Sequence, residues 1–118
     1  MIPAHSPASF KYPETLLVNE QAREAVVAMR EPLAYVLRSA VDRICGVDEP
    51  DPWRCCDRLR AAGCFGGTLH RHLTRMLSEQ RKVANGGRCR PRDASFIVPR
   101  AKQLAGKVAR LLSEGGAA

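Results

Sequence analysis

Residues 51–84 read DPWRCCDRLRAAGCFGGTLHRHLTRMLSEQRKVA, and how this stretch folds decides the architecture of the chain. Asp51 followed by Pro52 is a helix start. The aspartate can accept from first-turn amides, and a first-turn proline gives up an N–H that has no helical partner there. Trp53, Cys56, Leu59 and Ala62 then share one face of a short helix that stops at Gly63. Cys64 to Gly67 reads as a turn, with Thr68 expected to cap a longer helix running to Ala84. Leu69, Leu73, Met76, Leu77 and Val83 recur at the 3.6-residue period, and Asn85-Gly86-Gly87 closes the helix.

Upstream the same period holds. Asn19 is expected as an N-cap, with Glu20 and Glu24 near the positive end of the helix dipole. Ala22, Val26, Met29, Leu33, Val36, Leu37, Ala40 and Ile44 fall on one face as far as Gly46. Pro32 interrupts the sequence but not the phase. That predicts either a kinked helix or two helices in line, the second opened by Pro32 in its first turn. Residues 1–17, with three prolines and little periodicity, read as a flexible N-terminal arm with Phe10 and Tyr12 as anchors.

Downstream the pattern changes. Arg88 to Asp93 reads as a basic loop, and Phe96-Ile97-Val98 directly before Pro99 favours extended backbone. A last helix then carries Ala101, Leu104, Val108, Leu111 and Leu112 inward. The expectation is an all-α domain over residues 18–115, of four to five helices. Residues 52–85 form a helix-turn-helix-like core, with a short β-wing near residues 83–98.

Composition agrees. Of 118 residues, 45% are hydrophobic but only 5% aromatic, so the core must be aliphatic, as in helix packing. Five cysteines, an odd number that includes the adjacent pair Cys55-Cys56, argue against a disulfide framework. The first residues lack the basic and apolar regions of a signal peptide, and no apolar run is long enough to span a membrane. A cytoplasmic location is the expectation, with no membrane partner.

The charge is unevenly placed. Residues 1–51 hold five basic side chains against eight acidic ones, a net −3, whereas residues 52–118 hold fourteen against four, a net +10. A field of that polarity favours polyanions at the basic end. Arginine makes up 15 of the 19 basic residues, and its planar fork suits phosphate and carboxylate. On the helix after Thr68, the residues facing away from Leu69, Leu73 and Leu77 are His70, Arg71, Thr74, Arg75, Ser78 and Lys82. Such a face can reach phosphates and base edges. DNA is therefore the expected partner, with Arg71, Thr74 and Arg75 near bases and His70, Lys82, Arg88, Arg90 and Arg92 on phosphate. The apolar face of residues 19–45 is a candidate dimer contact.

The run Gly67-Thr-Leu-His-Arg-His-Leu-Thr-Arg75 resembles the recognition helix of winged helix-turn-helix regulators, and the layout over residues 32–112 is similar to that family's. The resemblance implies a small transcriptional regulator of bacterial or phage type. Gly86 to Asp93 would be its wing, Phe96 to Val98 the return strand, and the helix after Pro99 the closing helix.

Three other readings use the same residues. A helical protein-binding module, an adaptor or a phage-type inhibitor, would lay the arginine face on another protein's acidic surface. Zinc could draw on Cys56, Cys64, His70 and His72. However, no C-x2–4-C clamp is present, and histidines two apart on a helix point to different sides. Cys64 beside a helix N-terminus is the one candidate nucleophile, with no orienting third group. Neither metal, cofactor nor catalysis is expected.

Overall fold

The computed structural model describes residues 6–115, and among them all regular structure is helical. In chain order the helices are α1 (Lys11–Val18), α2 (Ala22–Ala28), α3 (Arg30–Cys45), α4 (Pro52–Ala61), α5 (Gly67–Ala84) and α6 (Pro91–Gly115). Met29 is the C-cap of α2 and the N-cap of α3, so these two form a single line broken once. Pro32 sits in the first turn of α3, where its missing N–H costs least. The second of the two Pro32 expectations is the one realised.

The N-terminal arm is a correction. Residues 1–5 lie outside the described residues, but Lys11–Val18 is a helix packed on α2 and α6. Phe10 and Leu16 are buried in the common core, whereas Tyr12 faces solvent. Asn19 caps the end of α1 rather than the start of α2. The chain then reverses in a Schellman turn, with Gln21 N–H donating to Leu16 at 2.9 Å and Glu20 N–H to Leu17 at 3.1 Å. Glu20 occupies the left-handed position of that turn at φ 62°. The same turn ends α4 and α5 with Gly63 (φ 78°) and Gly86 (φ 104°), where no Cβ opposes it.

The second correction concerns the β-wing. Arg90 N–H donates to Asp93 Oδ2 at 3.1 Å just ahead of Pro91, which starts α6. An acid reaching back three residues, next to a first-turn proline, is a helix start rather than a wing. Phe96-Ile97-Val98 is consequently helical, and Pro99 lies inside α6 on its solvent side. Ala94, Ile97, Val98, Ala101, Leu104, Ala105 and Val108 form one buried stripe through it. No strand occurs among the described residues.

One core joins the helices. The apolar face expected over residues 19–45 is spent inside the chain: Val26, Met29, Leu33, Val36, Leu37 and Ala40 are all buried. Only Val27, Tyr35 and Ile44 leave large apolar surface exposed on α2 and α3. In α4 and α5, Leu59, Leu73 and Leu77 are each at most 1% exposed, worth roughly 2–3 kcal/mol apiece over solvent exposure. Gln80 is the buried polar exception. Its amide donates to the Val27 carbonyl at 3.1 Å, a group next to the α2–α3 break, and so ties α5 to α2.

Candidate nucleic-acid interface

The inward stripe of α5 fixes what its outer face presents. With Leu73, Met76, Leu77, Gln80 and Val83 buried, Arg71, Arg75, Ser78 and Lys82 fall on the opposite side, and all four are exposed. The loop after α5 adds Arg88 and Arg90, and the first turn of α6 adds Arg92, also exposed. Arg23 reaches from α2 to donate to the Gly87 carbonyl at 2.9 Å, which holds this loop against the body. Among the described residues no carboxylate forms an ion pair with Arg71, Arg75, Lys82, Arg88, Arg90 or Arg92.

Two of the expected contact residues are engaged within the fold. His70 points along α5 toward α4, where its Nε2 meets Asp57 Oδ1 at 2.7 Å. The Thr74 hydroxyl turns back to donate to the carbonyls of His70 (3.0 Å) and Arg71 (3.1 Å). Such back-bonding is the usual fate of a threonine inside a helix. His70 thus braces the α4–α5 pair, Thr74 is turned onto its own helix, and the six exposed cations remain for contact. Arg81, on the same flank as His70, lies over the Trp53 ring at 5.4 Å from its centroid. Thr68 is within α5 and Gly66 takes the N-cap, so the turn from α4 runs from Ala62 to Gly66.

At the α3–α4 corner two arginines are neutralised locally. Arg38 grips Asp48 with two bonds, 2.7 and 2.9 Å, and Arg58 donates to Glu49 at 3.0 Å. Both carboxyls are held below their ordinary range, Asp48 by the Arg38 hydrogen bond and Glu49 by the Arg58 hydrogen bond.

Sequence reasoning missed a cleft beside the cationic face. It lies between α5, the loop and the start of α6, with a volume of 530 Å³. Met76, Val83 and Ile97 form an apolar floor, and Arg75, Arg88 and Arg92 stand around it. Phe96 is 67% exposed at its edge. The signal was available in the unbroken phase of α6 through Pro99, which puts Ile97 inward and Phe96 outward.

The candidate metal ligands do not converge. His70 is with Asp57, and His72 Nδ1 accepts from Arg100 at 3.1 Å on the other flank. Among the described residues no three His, Cys, Asp or Glu side chains are grouped to hold an ion. Burial pushes the thiol of Cys55 up to about 11 and that of Cys56 to about 12. Cys64 is raised too, by burial first and by Cys45 second, opposite to what a nucleophile beside a helix N-terminus needs.

Compared with known proteins, the chain matches no family model, no curated protein and no solved structure. Among the described residues no helix is long and apolar enough to cross a membrane.

Proposed function

We propose that this protein binds duplex DNA as a small regulator, with α5 laid in the major groove. The carrying observation is the set of six exposed cations without ion-pair partners, running down α5 and across the adjoining loop to α6. Arg71 and Arg75 stand toward base edges in this reading, where a guanidinium can bond guanine at two points. Lys82, Arg88, Arg90 and Arg92 meet phosphate. The α4–turn–α5 unit supports a helix-turn-helix-like placement, in which the first helix crosses the backbone and the second enters the groove. No wing takes part. The loop arginines, held by Arg23 on Gly87, take its place beside the groove.

The test is fluorescence anisotropy of a mixed-sequence duplex at about 50 and about 200 mM salt. Four phosphate contacts predict a loss of about a hundredfold in affinity between the two, because each neutralised phosphate releases condensed counterion. No binding at the lower salt would sink the reading. The basic face would then belong to the rival, a module that covers an acidic protein surface.

A further inference from the structure

We infer that the α5–α6 cleft is a binding site for a small amphiphilic carboxylate, an apolar body carrying one anionic group. Its size suits such a molecule: 530 Å³ lies within the range of small-ligand pockets, roughly 300–1,000 Å³. Its chemistry is split in the same way. Met76, Val83 and Ile97, each at most 8% exposed, offer apolar floor, and the exposed Phe96 ring adds an aromatic wall. The three guanidiniums come from three separate elements, Arg75 from α5, Arg88 from the loop and Arg92 from α6, so an anion held among them is reached from several sides.

The two acids in the lining do not cancel them. Asp93 accepts the Arg90 N–H, and the three guanidiniums still exceed Glu79 and Asp93 by one charge. Cys89 adds no charge, its thiol being raised by burial and by Asp93.

A compact ligand fits better than a peptide helix. An amphipathic helix needs successive apolar anchors along a groove. Here the apolar surface stops at the cleft: beyond it α5 presents Arg71, Ser78 and Lys82, and the other exposed large apolar side chains lie before residue 48. Arg75 belongs both to the cleft lining and to the outer stripe of α5. An occupant that binds Arg75 therefore competes with phosphate for it, and by linkage each ligand weakens the other. That regulatory consequence rests on the DNA reading; the site itself does not.

The experiment uses the full chain without DNA, titrated with millimolar octanoate and, separately, with octylammonium. It is followed through the methyl signals of Met76, Val83 and Ile97. Octanoate should shift these methyls saturably, and octylammonium should not. Arg88→Ala with Arg92→Ala, both at exposed positions, should weaken octanoate binding by about tenfold, the worth of one charge-assisted contact. Glu79→Gln, which removes a repelling charge, should strengthen it. Absence of saturable shifts, or equal shifts with both amphiphiles, overturns the site. A DNA affinity unchanged by saturating octanoate overturns the competition while leaving the site in place. Absence of DNA binding altogether bears on the DNA reading alone.

Discussion

The α3–α4 corner and the α5–α6 corner are both helix–loop–helix junctions rich in arginine, and they use it in opposite ways. At the first, Asp48 and Glu49 lie in the loop itself and pair with Arg38 and Arg58. At the second, Asp93 accepts a backbone N–H, and Arg88, Arg90 and Arg92 are exposed with no ion-pair partner among the described residues. The first corner pairs its charges within the fold, and the second leaves them unpaired among the described residues. The residue type alone therefore does not mark an interface. What marks it is whether an acid within reach pairs with the guanidinium.

The largest effect should fall on binding. Arg71→Ala with Arg75→Ala is expected to lower DNA affinity by about a hundredfold and remove sequence preference, with the folded state's denaturation midpoint unchanged. Arg38→Ala at the other corner should leave affinity within about twofold, since Asp48 already neutralises it. Anisotropy at fixed low salt reads both. Equal losses from the two variants would erase the distinction between the corners.

Next comes the geometry that holds the second corner open. Gly86 stands at φ 104°, a conformation that opposes any Cβ, so Gly86→Ala should cost about 1–2 kcal/mol in urea denaturation. Glu20 occupies the equivalent position after α1, and Glu20→Gly should stabilise by a similar or smaller amount. If Gly86→Ala were neutral, the turn that presents Arg88 and Arg90 would not be fixed. Asp93→Ala should cost about 1 kcal/mol by freeing the Arg90 N–H at the start of α6. Unlike Arg92→Ala, it should also lower the helicity of residues 91–98, measured by amide exchange.

How far the sequence disclosed this arrangement depends on the range of the interactions. The period of the apolar residues located α3, α4 and α5, because burial of one face is written at every third or fourth position. The outer arginines of α5 followed from the inner leucines. Two prolines posed the same question with different outcomes: Pro32 sits just after the break between α2 and α3, whereas α6 runs unbroken through Pro99. Three contiguous apolar residues before Pro99 look alike as strand or helix, and their helical phase shows only when Ala94 is joined across Pro99 to Ala101, Leu104, Ala105 and Val108. The pairing of His70 with Asp57 was not legible, since it depends on how two helices sit together. The cleft was hidden for the same reason, because it exists only once residues 91–98 are helical.

The smallest effect is a pH dependence confined to the first corner. Glu49 is held below its ordinary 4.5, first by the Arg58 hydrogen bond, opposed by desolvation and aided by the Asp51 N–H. Asp48 is held below 3.8 by Arg38. When the folded-state value is the lower one, the unfolded chain binds more protons in the window between the two, so stability rises with pH there. The contribution is complete above the ordinary carboxyl range and is lost as pH falls through the folded values. Urea midpoints should thus hold steady from pH 7 to about 5 and decline below about pH 4.5. Glu49→Gln should flatten part of that decline, and Arg92→Ala should leave it intact, because Arg92 forms no ion pair among the described residues. A decline equally reduced by both variants would mean that the second corner also spends its arginines on the fold, and the cations assigned to DNA would then already be taken.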